Sequence, residues 1–174
     1  MMFLNDITIV ITTFYSETKV IECLKSINNK CKVIVVENSG SKKLKEKLET
    51  NYQNVLCILS KENMGYSKSN NLALKMVKTK YALVLNPDTI LKEDSLKNFL
   101  HACGALKDFA ILAPYIQTEE DKKHKNVPSG PMAVESVKGF AMFLNVKKFY
   151  EIGFFDENFF LYFEEIDLCR KVIK

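Results

Sequence analysis

A chain of 174 residues with 47% hydrophobic and 26% charged side chains is one globular domain's worth of sequence, long enough for a sizeable core. Its net charge of +4 comes from scattered lysines (Lys42, Lys43, Lys45, Lys47, then Lys122, Lys123, Lys125), not from the dense basic runs of a nucleic-acid groove, so no nucleic-acid partner is expected. Five cysteines with no CxxC spacing and two histidines leave little material for a disulfide framework, a zinc site or a Ser-His-Asp triad.

The cysteines fall inside apolar patterns, which predicts free, buried thiols in a reducing compartment. No secretory signal pattern precedes the first predicted strand, and no apolar run is long enough to span a bilayer. The expected location is therefore the cytoplasm, with peripheral attachment at the inner face of a membrane as the lesser alternative.

Ile7–Thr13 is a short apolar run and reads as a buried strand. Ser16 is placed to cap the next helix, where Val20, Cys23, Leu24 and Ile27 recur at helical spacing. Val33–Glu37 is a second strand, closed by the turn signal Asn38-Ser39-Gly40. A Lys/Glu-rich helix from about Ser41 to Thr50 follows, then a third strand at Val55–Leu59. A helix from about Ser67 to Lys78 leads to a fourth strand, Tyr81–Leu85. Beyond Pro87 the spacing predicts a helix over Asp94–Cys103, a strand over Ala110–Tyr115 and a polar loop over Thr118–Gly130. Strands at Val134–Val137 and Phe140–Asn145 and a short helix at Val146–Ile152 complete this stretch. The alternation predicts an α/β fold, a mostly parallel central sheet with helices on both faces.

In such sheets ligands bind outside the carboxyl ends of the strands. Neither GxGxxG nor GxxxxGK[ST] follows any strand, so a bound nucleotide would not be held by a Rossmann fingerprint or a P-loop. At the end of the second strand, Glu37 can accept from a pyrimidine N–H or ribose hydroxyls, or equally bond the backbone of its own turn. Phe14 is either a face for a base or a core aromatic. Gly65, after Asn63, allows a positive φ or a close backbone approach. Asn70 aligns with Leu74 and Val77, so its amide turns inward. Asn86-Pro87-Asp88 has the form of a type I turn, which accounts for Pro87. A lone carboxylate there can also hold a hard divalent cation whose other oxygens come from water and a diphosphate.

The segment Gly153–Arg170 carries an aromatic run and then a cluster of acids opening a predicted helix. Projected at about 100° per residue from Phe163, residues Ile166, Leu168, Cys169, Val172 and Ile173 form one apolar arc. Glu164, Asp167, Arg170 and Lys171 fall on the other side, where the acids complement the helix dipole in water. Glu165 falls inside the arc. A carboxylate there is costly to bury unless it is paired or has a task, which marks it as a site residue.

Taken in order, Ile9–Tyr15, Val35–Ser39, Glu62–Tyr66 with Asn70-Asn71, Leu85–Asp88, Lys138–Leu144 and Ile152–Leu168 resemble the family 2 glycosyltransferases, with the closest look to the rhamnosyltransferase-like branch. The resemblance covers nearly the whole chain. It implies the GT-A fold in a single domain, with about 1–90 as the donor-nucleotide half and about 91–174 as the acceptor half with the catalytic helix. It also implies a nucleotide-diphospho-sugar donor of dTDP-rhamnose or UDP-sugar type, a divalent cation (Mg²⁺ or Mn²⁺) and inversion at the anomeric carbon. The implied acceptor is a glycan or lipid-linked saccharide of cell-surface polysaccharide synthesis.

Carried onto this chain, Asp88 matches the metal-binding acid, and Glu37 stands where the family has the aspartate that contacts the nucleobase. Thr12 and Phe14 match the base-pocket lining; Asn63, Gly65, Asn71 and Asn86 belong to the implied donor-binding set. Glu165 matches the catalytic base. Departures are Glu for Asp at 37 and 165, Tyr15 in place of the common Asn, and an end at Lys174, inside the helix that bears the base. The alternative expectation is thus a truncated, non-catalytic nucleotide-sugar binding module. Hydrolysis of a sugar by two paired carboxylates leaves the pocket pattern unexplained. A nucleotidyltransferase would need a glycine-rich basic loop after the first strand, which Thr12–Glu17 is not.

Overall fold

A computed structural model describes residues 3–106, 108–124 and 128–173. The elements run β1 (Ile7–Thr13), α1 (Glu17–Lys25), β2 (Lys32–Glu37), α2 (Lys42–Asn51), β3 (Val55–Leu59), α3 (Gly65–Leu74) and β4 (Tyr81–Leu85). They continue with α4 (Ser95–Ala105), β5 (Ile111–Leu112), α5 (Glu119–His124), β6 (Ala141–Asn145), α6 (Val146–Ile152) and α7 (Glu164–Ile173). One six-stranded sheet of order β3-β2-β1-β4-β6-β5 holds them together. β1 pairs in parallel with β2 and β4, and β2 with β3; β6 runs antiparallel to both β4 and β5.

Strands buried on both faces need apolar residues at every position. Odd positions such as Ile9, Ile11, Val33, Val35, Leu83 and Leu85 pack with Val20 and Leu24 of α1, Leu44 and Leu48 of α2, and Leu96 of α4. Even positions, Val10, Ile34, Val36, Ala82 and Val84, pack with Leu74 of α3, Phe149 of α6 and Leu168 of α7. The expected buried thiols are present: all five cysteines are free and buried. Among the described residues, no helix is long and apolar enough to cross a membrane.

Four expectations change. Ser16 stands at the start of α1, but its hydroxyl donates to Phe14 O (2.9 Å) and caps no helical N–H. The strand expected over Ala110–Tyr115 shrinks to Ile111–Leu112, opposite Leu144 and Phe143; Pro114 beyond it has no N–H to offer a ladder. No strand forms over Val134–Val137. Its would-be neighbour β6 is already paired on both edges, and Val134 stays 53% exposed. The stretch read as a loop holds α5, opened by a reciprocal cap in which Asp121 N donates to Thr118 Oγ1 (3.1 Å) and Thr118 N to Asp121 Oδ2 (2.9 Å). Residues 125–127 of that stretch lie outside the described residues.

Candidate active site

Parallel pairing delivers the ends of β1, β2 and β4 to one edge of the sheet, with Thr13 opposite Glu37 and Ile11 opposite Leu85. Because β6 is antiparallel, its beginning reaches that same edge, Ala141 lying opposite Leu85. Phe140, just before it, ties the Asn86-Pro87-Asp88 turn in place: Asn86 N donates to Phe140 O (2.9 Å), and Thr89 N closes the turn on Asn86 O (3.1 Å). A cavity of about 370 Å³ opens here. Thr12, Phe14, Asn63, Gly65, Asn86, Asp88 and Glu165 all line it, so seven residues singled out by the sequence meet in one place.

Local chemistry explains their positions. Thr12 Oγ1 donates to Asn70 Oδ1 (3.2 Å), and Asn70 Nδ2 to Tyr66 O (3.0 Å), so the inward amide of Asn70 anchors the end of β1 to α3. Asn63 Oδ1 accepts from Asn38 Nδ2 (2.7 Å) and Gly65 N (3.1 Å), which joins the β2 turn to the start of α3. Gly65 has φ +77°, and a Cβ there would sit 2.5 Å from Phe160 O; both expected uses of glycine are present. Phe14 is 44% exposed and lines the cavity, so it is not a core aromatic; its ring lies 4.5 Å from that of Tyr15. Glu165 packs its side chain over Gly139.

Three residues lie elsewhere than their place in the sequence suggested. Glu37 does not line the cavity. It is fully buried; Oε1 accepts from Ser39 N (3.1 Å) and the Ser39 hydroxyl, and Oε2 from Ser41 N (2.5 Å), so the turn-bonding reading is the one realised. The next residue, Asn38, takes the place at the cavity wall. Asn71 is also outside it: its amide accepts from Phe155 N (3.1 Å) and donates to Phe155 O (2.9 Å) and Glu157 Oε1 (3.0 Å), pinning the segment that leads to α7. Glu164, expected in water, is 5% exposed and lines the cavity beside Glu165. Burial first, then the neighbouring Glu165, pushes its carboxyl above the usual glutamate range.

The aromatic run supplies a wall that residue-by-residue reading missed. Phe160, Leu161 and Tyr162 line the cavity, and Tyr66 N donates to Phe160 O (2.7 Å). Among the described residues, Tyr15 (φ 47°), Tyr162 (φ 71°) and Phe163 (φ 70°) are the non-glycine residues with positive φ. Bulky side chains are strained there, and such strain gathers at functional sites. Tyr66, Gly139 and Phe140 were missed as single residues, although each lies inside a quoted motif. Their signal was the motif, not the side chain.

Among the described residues, no three His, Cys, Asp or Glu converge as a metal cluster. Asp88 nonetheless suits one hard cation: its carboxylate is on the cavity, half exposed, with the Lys19 ammonium at 3.6 Å. A Mg²⁺-like ion held by one carboxylate keeps several water or phosphate oxygens, which an open cavity allows.

The chain matches Glycosyl transferase family 2 over residues 8–169. It belongs to that family. This family 2 chain is 25% identical over 192 residues to the low-salt glycan biosynthesis hexosyltransferase Agl10 of Haloferax volcanii, covering 97% of this chain and 62% of that protein. It is 27% identical over 188 residues to the rhamnosyltransferase WbbL of Escherichia coli K12, covering 88% of this chain and 70% of that one. It thus spans under two thirds of Agl10's length, and the rhamnosyltransferase-like resemblance holds. S. aureus TarS (16% identity, 95% of this chain, 54% of that one) superposes with a TM-score of 0.71. The mannosyltransferase PcManGT of Pyrobaculum calidifontis, solved with GDP-Man and Mn²⁺, gives 0.72 (14% identity, 95% and 50%). The fold is GT-A.

Proposed function

We propose that this chain holds the donor site and catalytic base of an inverting glycosyltransferase. It moves a sugar from a dTDP-rhamnose or UDP-sugar type donor to a hydroxyl of a glycan or lipid-linked acceptor in cell-surface polysaccharide synthesis, on the cytoplasmic side. One observation carries the reading: Asp88, from the end of β4, and Glu165, from α7, line the same cavity. The relatives' names, a hexosyltransferase and a rhamnosyltransferase, support it, as does the GDP-Man bound in a neighbouring fold.

Roles follow from chemistry. Phe14, half exposed on the cavity, takes the flat base, and Thr12 and Asn63 offer polar groups around it. A Mg²⁺ or Mn²⁺ ion held by Asp88 would supply positive charge against the departing diphosphate. Glu165 accepts the proton of the acceptor hydroxyl while that oxygen bonds to the anomeric carbon from the face opposite the diphosphate. The anomeric C–O bond breaks and its electron pair leaves with the nucleoside diphosphate, so configuration inverts. Glu165 over Gly139 has space to meet the incoming hydroxyl, because residue 139 adds no side chain to that wall.

A thermal-shift series with UDP-glucose and dTDP-rhamnose, each with and without Mn²⁺, tests the donor site. A cation-dependent rise with at least one donor is expected, and Asp88→Asn should remove the cation-dependent part. Donors that leave the melting temperature unmoved overturn the reading. Glu165→Gln should lower transfer by about 10²–10⁴-fold with the donor shift retained; unchanged turnover removes its role. A donor shift without any sugar transfer by the natural full-length protein selects the binding-module alternative.

A further inference from the structure

The cavity is lined by acids. Asp88, Glu164 and Glu165 all face it, and among the described residues no lysine, arginine or histidine does. A diphosphate entering such a cavity meets like charge unless a cation accompanies it or stands at the rim. Among the described residues, one of these three acids makes an ion pair: Asp88, with the ammonium of Lys19 at 3.6 Å.

Helix α1 builds that position. Ser16, on the cavity wall, leads directly into α1, which sets Lys19 in its first turn. The neighbouring Glu17 pairs with Lys47 (2.8 Å), so the two charges of this turn go to different partners. The side chains of Lys19 and Asp88 are 62% and 53% exposed, and a lysine stem is flexible, so neither group is locked. A pair this exposed adds little to the stability of the fold. Its consequence lies at the site. Asp88 is the acid suited to a divalent ion, and an ammonium beside it competes with that ion for the same carboxylate and repels it. Lysine is also a phosphate binder, acting as a point charge. A diphosphate beside Asp88 gives the ammonium a second partner, one of higher charge than a single carboxylate.

We propose that Lys19 couples the divalent cation to the nucleotide-sugar donor: it opposes a cation that arrives at Asp88 alone, and it turns to the donor's diphosphate when that is bound. The proposal rests on the donor-site reading. Because the diphosphate draws the ammonium off Asp88, donor and cation each strengthen the other's binding, as linkage requires.

Titration calorimetry with Mn²⁺ alone, UDP alone, and UDP in the presence of Mn²⁺ tests this. Lys19→Met keeps length and removes the charge. It should bind Mn²⁺ alone about 2–5-fold more tightly and UDP alone about 2–5-fold more weakly, the scale of one exposed ion pair. The factor by which Mn²⁺ strengthens UDP binding should fall. Both differences should shrink between about 20 mM and about 500 mM NaCl. Lys19→Arg should stay within about twofold of wild type, and so should Lys25→Met, which removes a charge from the other end of α1. Mn²⁺ affinity in Lys19→Met equal to or below wild type, unchanged UDP affinity without Mn²⁺, or differences indifferent to salt overturn the proposal and leave the donor site standing. A wild type that binds neither Mn²⁺ nor UDP overturns both.

Discussion

The side chain of Glu165 lies over Gly139: its Cβ, Cγ and Cδ come within 3.6, 3.8 and 3.9 Å of the point where a side chain at residue 139 would begin. That is ordinary contact, so a single methyl fits and a branched group does not. Gly139→Ala should lower kcat only a few-fold. Gly139→Val should lower it by about a hundredfold, the effect of displacing a reacting group by roughly an ångström. Steady-state kinetics beside a donor-binding measurement checks this; equal kcat for both variants would show that residue 139 does not seat the base.

Gly65→Ala is expected to act on both folding and site. The added Cβ would meet Phe160 O at 2.5 Å, and φ +77° is strained for alanine. Stability should fall by about 1–3 kcal/mol, and the aromatic wall should shift with Phe160. Chemical denaturation gives the first quantity and donor affinity the second. A variant as stable as the parent would contradict this close approach.

The five buried thiols should be slow toward reagents that need a thiolate. Burial pushes Cys23 up to about 12 and Cys31 and Cys57 up to about 11, and it raises Cys103 and Cys169 as well. Ellman's reagent at pH 8 should find no fast thiol in the folded protein and all five after unfolding. A rapid native stoichiometry of one or more would place a thiol at the surface.

Glu164 makes stability depend on pH with a definite sign. In the unfolded chain it titrates near 4.5, and in the folded protein higher. Between those values the native state holds a proton that the unfolded chain has released, so this contribution falls as pH rises. It is fully present below about 4.5 and lost as pH passes the folded value. Glu164→Gln removes the dependence, so its melting temperature relative to wild type should climb from pH 4.5 upward and then level off. A gap that narrows over the same range would refute the sign.

The parallel strands were legible as short apolar runs, and β1, β3 and β4 match the predicted bounds residue for residue. The motif order was equally legible, and with it the meeting of Asp88 and Glu165 at one cavity. The directions of Glu37, Asn71 and Glu164 were not. Glu37 is drawn inward by the N–H groups of Ser39 and Ser41, and Asn71 by the backbone of Phe155. The angular projection put Glu164 in water and Ile173 in the core. Instead Glu164 is buried and Ile173 is 63% exposed, because Tyr162 and Phe163 turn the chain through positive φ and the first turn of α7 opens onto the cavity. Local sequence specifies the period of an element. Which way its ends face depends on partners far along the chain, and these come within hydrogen-bonding reach only when the sheet is assembled.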